Sequence, residues 1–166
     1  MVACDIMGKF SSVIATKWQR VALAVFATIV AVYAVIYIDV VARARHAYME
    51  GEKYLNWHKN PALKEAFYDE KLSRQKTELQ KLLDKGKISK DEYDVRLEII
   101  EAGNKYEREE SSAKYAYVWY KTAVELFSPP ESRWVKLSRE KMPIAKELWR
   151  QELIKKKIPF EEWMLD

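Results

Sequence analysis

One run of apolar residues constrains this chain more than any other feature of its sequence. From Val21 to Ile38 there are 18 consecutive residues without a charged side chain, and only Thr28 among them is clearly polar. At a rise of 1.5 Å per residue, a helix of this length spans about 27 Å, close to the roughly 30 Å hydrocarbon core of a bilayer. The run predicts a transmembrane helix over residues 19–45 that continues outside the bilayer to about residue 59.

Two other interpretations of the run fit its surroundings less well. A helix that is apolar on all sides can be the core of a soluble protein, but little else in this chain is apolar enough to surround it. A cleaved signal peptide has a shorter apolar stretch of roughly 7–15 residues and a small-residue cleavage site. Here the run leads directly into Asp39, Arg43 and Arg45. We therefore expect an uncleaved, single-pass anchor.

The expected location is a membrane, with a prokaryotic cytoplasmic membrane favoured and an organellar inner membrane as the alternative. The bases that flank the run do not fix its orientation, because the positive-inside rule depends on an excess of Lys and Arg on one side. Three bases precede the run and three follow it: Lys9, Lys17, Arg20, Arg43, Arg45 and Lys53.

The composition predicts an all-α fold. The 166 residues include only 4 Gly and 5 Pro, too few for the many tight turns of a sandwich or barrel. The net charge of +4 is small and the bases are interleaved with acids, so we expect no nucleic-acid partner. The expected architecture is a single N-terminal transmembrane helix, then an extramembrane helical hairpin, then a C-terminal helical arm.

Local signals divide the chain into four segments. Residues 1–18 carry apolar side chains at helical spacing, which predicts a short amphipathic segment on the bilayer or an early start of the spanning helix. The spanning helix follows, then a helical hairpin domain over residues 60–127. Residues 128–166 form a basic helical arm that ends in an apolar tail.

Caps and breakers predict where the individual helices begin and end. Asn60-Pro61 opens a helix that runs to about Asp84, and Gly86 is its left-handed C-cap. A capping box at Ser89 starts a third helix that stays helix-compatible for about 38 residues, to Phe127. Another capping box, Ser128-Pro129-Pro130-Glu131, opens a fourth helix, which Met142-Pro143 breaks or restarts.

One stretch has the features of a known family. Residues 79–100 contain Leu79, Leu82 and Leu83, then Lys85-Gly86, Ile88 and Ser89, then Asp91-Glu92, Tyr93, Leu97 and Ile100. This order resembles SHOCT, a short C-terminal domain. The resemblance implies a two-helix hairpin that serves oligomerisation or binding, without catalytic residues. It covers about 22 residues in the middle of the chain.

The sequence offers no residue set for catalysis. His46 and His58 are twelve residues apart, so on one helix they lie about 18 Å apart and cannot share a metal ion. Cys4 has no neighbouring base to activate it as a nucleophile. We expect no enzymatic activity, cofactor, metal site or small-molecule substrate. A haem-carrier or enzyme role would rest on the histidines alone.

Aromatic residues are the strongest positive signal, at 13% of the chain. Those on the predicted third helix form a core stripe, or a core stripe plus a second face against another subunit. The apolar tail is costly in water, so we expect it to dock on a partner or back on the membrane surface rather than in its own core. The candidate partner-binding residues are Tyr115, Trp119, Tyr120, Trp134, Trp149, Phe160, Trp163 and Leu165.

Together these features favour a non-catalytic single-pass accessory or scaffold subunit of a larger membrane complex. Its expected partners are integral membrane subunits and the lipid bilayer. The complex is an energy-transducing one or a membrane complex of another kind. The alternative is a membrane-anchored helical adaptor or assembly factor that binds its partner transiently.

Overall fold

A computed structural model describes residues 17–165, and within that range every regular element is a helix. The predicted all-α class is therefore confirmed. The amphipathic segment predicted for residues 1–18 lies almost entirely outside the described residues. The helices are α1 (Lys17–Lys59), α2 (Pro61–Asp84), α3 (Lys90–Glu109), α4 (Ser112–Leu126) and α5 (Arg133–Lys155), followed by a 3-10 turn at Glu162–Leu165.

Helix α1 is 43 residues long and has two halves of different character. Its apolar N-terminal half is fully exposed, and it is the one helix within residues 17–165 that is long and apolar enough to cross a membrane. Its C-terminal half buries Ala44, Ala47, Gly51 and Leu55, which are three or four residues apart and so share one helical face. A single uninterrupted helix thus joins the apolar run to the folded domain.

The core of the domain lies between α1, α4 and α5. Its buried centre contains Leu55 from α1, Tyr117 and Tyr120 from α4, and Ala145 from α5. Small side chains let the helix backbones approach closely, since Ala116 and Ala145 are both completely buried. Helix α5 runs parallel to α1, as its contacts follow α1 in chain order.

Three contacts between α1 and α5 show this order. The Tyr48 and Trp134 ring centroids are 5.6 Å apart. One turn further along α1, Lys141 Nζ lies 3.1 Å from Glu52 Oε1. Near the end of the helix, His58 Nδ1 lies 2.9 Å from Glu152 Oε1. The position of a residue on α5 therefore shows which residue of α1 lies at the same distance from the start of α1.

Helices α2 and α3 pack against each other in antiparallel directions. Gly86 has the positive φ of 61° that was predicted for the C-cap. The turn has the Schellman pattern, in which the Gly86 and Lys87 N–H groups donate to the Leu83 and Leu82 carbonyls. Further along the pair, Asn104 Nδ2 donates to the Tyr68 carbonyl at 2.9 Å.

The helix predicted from Lys90 to Phe127 is in fact two helices. Helix α3 ends at Glu109, and Ser111 caps α4 by accepting a hydrogen bond from the Lys114 N–H. A residue of α2 satisfies the backbone at this break, since Lys64 Nζ donates to the Arg108 and Glu110 carbonyls at 2.6 Å each. The change of packing partner, from α2 to α1 and α5, comes at this break and not at Phe127.

Helix α5 also differs from the sequence-based expectation in two respects. It begins at Arg133 with Ser132 as the N-cap, so the capping box at Ser128–Glu131 was assigned four residues too early. Pro143 lies inside the helix without breaking it. The helix is held on both sides of the proline, because Met142 packs on the core and Ala145 is completely buried.

Candidate functional site

Two of the candidate partner-binding residues belong to the interior of the chain itself. Tyr120 is 0% exposed, and its hydroxyl donates to Glu52 Oε1 at 2.5 Å. Leu165 is 1% exposed, although it lies in a tail that was expected to remain outside the core. The tail folds back toward α5, where Glu162 pairs with Arg150. Neither side chain is available to a partner.

Three other candidates are partly buried and join helices of the same chain. Tyr115 stacks on Tyr54 with ring centroids 5.1 Å apart. Trp149 lies 5.9 Å from Tyr117, and Trp119 meets the edge of the His46 ring at 5.8 Å. Most of the aromatic signal on α4 therefore reflects the core stripe, which was one of the two interpretations of the sequence.

Outside the apolar run of α1, one group of exposed apolar side chains lies near the C-terminus. Trp163 is 70% exposed, and the nearby Phe160 is half-buried. Ile154, Ile158 and Met164 are also exposed. We call the four exposed residues of this group, Ile154, Ile158, Trp163 and Met164, the tail surface. Large apolar side chains in water are typical of sites where another molecule binds.

The tail surface lies far from the apolar run. Glu152 is at the level of His58, which is twenty residues beyond Ile38 on the same helix. That separation is about 30 Å along α1, and still about 23 Å if the helix is tilted by about 40°. The level of Glu152 is thus well separated from the apolar run along α1.

The opposite end of α5 lies beside the apolar run. Pro129 and Pro130 of the α4–α5 loop (127–132) face α1 across a pocket of about 240 Å³. The α1 side of this pocket is formed by Tyr33, Ile36, Tyr37 and Val40. The loop is therefore level with the last turns of the apolar run.

A cationic aromatic cluster follows the loop. Arg133 and Arg45 both lie over the Trp134 ring, at 5.6 and 5.7 Å from its centroid. Trp134 also contacts Tyr48, so this candidate residue is anchored in the chain while its surroundings stay exposed. Among residues 17–165, neither Arg45 nor Arg133 forms an ion pair with a carboxylate, in contrast to Arg43, which pairs with Asp39 at 2.8 Å.

A polar network links α1, α4 and α5 in the domain interior. Burial of the Glu52 carboxylate would raise its pKa, but hydrogen bonds from Tyr120 and Lys141 outweigh this effect and lower the pKa. Burial and the same carboxylate raise the pKa of Tyr120. The Tyr120 side chain is completely enclosed, whereas Glu52 and Lys141 are partly exposed, and the network joins the three helices at this point.

A second polar group lies where α1, α5 and the α3–α4 connection meet. Glu152 accepts a hydrogen bond from Ser111 and contacts His58 at 2.9 Å. Glu152 and Ser111 line an open pocket of about 280 Å³. Within the described range, 17–165, no group of three or more His, Cys, Asp or Glu side chains is arranged to hold a metal ion.

Comparison with protein-family models, with curated proteins and with solved structures finds no match to this chain. The resemblance of residues 79–100 to SHOCT therefore stays a prediction, and function is argued from the geometry of the chain.

Proposed function

We propose that this protein is a non-catalytic, single-pass accessory or scaffold subunit of a larger membrane protein complex. The observation that carries the proposal is α1, which runs without a break from Lys17 to Lys59. Its exposed apolar half spans the bilayer, and its other half is part of the domain core. The span and the domain move as one body, so the domain is held at a fixed distance and direction from the membrane.

The tail surface is the proposed contact with a neighbouring subunit. It lies about 30 Å from the end of the apolar run, so a partner that reaches it has a sizeable extramembrane part of its own. Trp163 is the natural anchor, since exposed tryptophans that become buried are frequent hot spots of interfaces. An arrangement of this kind supports a neighbour at a distance from the membrane.

The adaptor alternative depends on the basic arm acting as a charged docking surface. In the structure, several bases of α5 are already paired within the chain. Arg139 pairs with Glu131, Lys141 with Glu52, and Arg150 with Glu162. Intramolecular pairing weakens the attraction of the arm for an acidic partner, which favours the subunit proposal.

Solubilising the full chain from its native membrane in mild detergent tests the proposal. A stable particle much larger than one chain is expected, and Trp163→Ser should release the protein from it. Ile99→Ser is the matched control, because Ile99 is equally exposed but lies on α3, away from the tail surface. A single-chain particle for the unmodified protein would instead favour the adaptor.

A further inference from the structure

The α4–α5 loop has no role in the proposed contact with a partner, yet it lies against the membrane-spanning part of α1. Its two prolines face Tyr33, Ile36, Tyr37 and Val40. Tyr33 is five residues before Ile38, the last residue of the apolar run. Five residues correspond to about 7.5 Å along the helix. If α1 spans the bilayer, this loop cannot remain in bulk water.

The side chains of the loop suit that position. Leu126, at the end of α4, is 71% exposed in the part of the chain that the structure describes. Phe127 and the two prolines add apolar surface without a charge. Tyr33 and Tyr37 are exposed on the neighbouring helix, and tyrosine is enriched at the interface between lipid tails and headgroups.

The cationic aromatic cluster of Arg45, Arg133 and Trp134 lies further from the bilayer centre than the loop does. Arg45 is seven residues beyond Ile38, or about 10 Å, which places its backbone at the outer edge of the headgroups. Arg133 is three residues beyond Pro130 in the loop. Both guanidinium groups are held beside the Trp134 ring, and neither is neutralised by a carboxylate among the described residues.

We propose that Leu126 and the α4–α5 loop insert into the bilayer interface and that Arg45 and Arg133, positioned by Trp134, bind the phosphate of an anionic phospholipid. This inference rests on the proposed membrane span of α1. A guanidinium group donates several hydrogen bonds to phosphate oxygens, and a pair of them favours a headgroup without a compensating positive charge. The domain thereby gains a second attachment to the membrane, which restrains the tilt of α1 relative to the bilayer.

Lipid retention by the purified full chain tests the headgroup site. Phosphatidylglycerol and phosphatidylcholine are added in turn, and the lipid that remains bound is counted by native mass spectrometry. The double variant Arg45→Gln/Arg133→Gln should lose the preference for phosphatidylglycerol by roughly 30-fold, since each base near an anionic surface contributes about 1 kcal/mol. Arg74→Gln/Arg96→Gln removes the same charge from exposed positions on α2 and α3, and it should keep the preference.

Insertion of the loop is tested in vesicles of phosphatidylcholine with and without phosphatidylglycerol. A polarity-sensitive dye is attached at Leu126→Cys in a Cys4→Ser background, and its emission should shift to the blue. The same dye at Ile99→Cys should report water. Carbonate extraction shows first whether α1 is integral, so a failed span is separated from a failed loop site.

Three results would overturn the inference. The first is that the dye at position 126 reports an aqueous environment in a chain that carbonate does not extract from the membrane. Alternatively, both double variants lose the lipid preference equally, which would indicate a general effect of net charge. Finally, the Arg45→Gln/Arg133→Gln variant keeps its lipid but leaves the larger particle, which would assign the arginines to a protein partner.

Discussion

The ring of Tyr120 lies directly on the backbone of α1 at Gly51. A Cβ atom added to Gly51 would lie 2.5 Å from Cε1 and 2.7 Å from Cδ1 of that ring, well inside van der Waals contact. The ring cannot easily move away, because its hydroxyl is bonded to Glu52 on the same helix. The close approach of α1 and α4 therefore depends on a glycine at position 51.

Replacing this glycine should destabilise the domain even though alanine favours helices. We expect Gly51→Ala to lower the free energy of unfolding by about 1–2 kcal/mol, because the strain of overpacking exceeds the gain in helix propensity. Gly103 is the matched control, since a Cβ there meets nothing within 4 Å. Gly103→Ala should raise stability by about 0.5–1 kcal/mol. Denaturant unfolding of the full chain in detergent measures both, and a gain for Gly51→Ala would contradict the contact.

Lys64 should be the most important charged residue of α2 for stability. It is 8% exposed, and its amine satisfies two carbonyls at the end of α3. Burial lowers the pKa of Lys64. Lys64→Met keeps the aliphatic part of the side chain but leaves the two carbonyls without their donor. We expect the free energy of unfolding to fall by about 1–3 kcal/mol. Lys76→Met breaks only an exposed ion pair with Glu101 and should cost less than about 1 kcal/mol. Equal losses in thermal unfolding would argue against a special role for Lys64.

The turn between α2 and α3 gives a prediction about backbone conformation. Gly86 has a φ of 61°, and Ser89 accepts a hydrogen bond from the Glu92 N–H. Gly86→Val forces a β-branched side chain into the left-handed region, whereas Ser89→Ala removes one cap worth about 1 kcal/mol. The glycine variant should therefore melt at the lower temperature. If the two variants melt together, the turn has an alternative conformation that relieves the strain.

Sequence alone was enough for features that depend on neighbouring residues. The end of α1 at Lys59 follows from the helix stop at Asn60-Pro61, and the turn at Gly86 follows from glycine between two amphipathic stretches. The break at Glu110–Ser111 has one local signal, Ser111 as the N-cap of α4, in a stretch that is otherwise helix-compatible. The contact that Lys64 makes there comes from a residue 46 positions away from Glu110, and no local pattern predicts it.

The C-terminal tail shows the same limit at the candidate site. Trp163 and Leu165 are two residues apart and both apolar, so composition assigns them to one surface. In the structure one is 70% exposed and the other 1% exposed. The direction in which the tail folds is set by contacts with α5, including the pair Arg150–Glu162. Apolar character alone could not show which side chain faces outward.

Glu52 should make stability depend on pH in a defined direction. Its folded pKa lies below the ordinary value, despite burial, because Tyr120 and Lys141 bind the charged form. Its ionisation therefore stabilises the fold above the unfolded pKa of about 4.3, and this contribution is lost as the pH falls through the folded pKa. We expect Glu52→Gln to be less stable than the unmodified protein at neutral pH, with a smaller difference in strong acid. Glu98→Gln, an exposed change on α3, should show no such trend.

Two single substitutions in the tail should separate folding from association. The sequence predicts a tail outside the core, but a deletion of residues 158–166 removes the buried Leu165. Fully burying a leucine contributes about 1.5–3 kcal/mol, so the deletion and Leu165→Ala should both lower the melting temperature of the full chain. Trp163→Ala should leave the melting temperature nearly unchanged, since exposed substitutions usually change stability by less than about 0.5 kcal/mol. It should instead weaken retention in the larger particle, measured by co-purification in mild detergent. Normal retention of Trp163→Ala would remove the tail surface as the partner contact, and normal melting of Leu165→Ala would show that the tail is not part of the core.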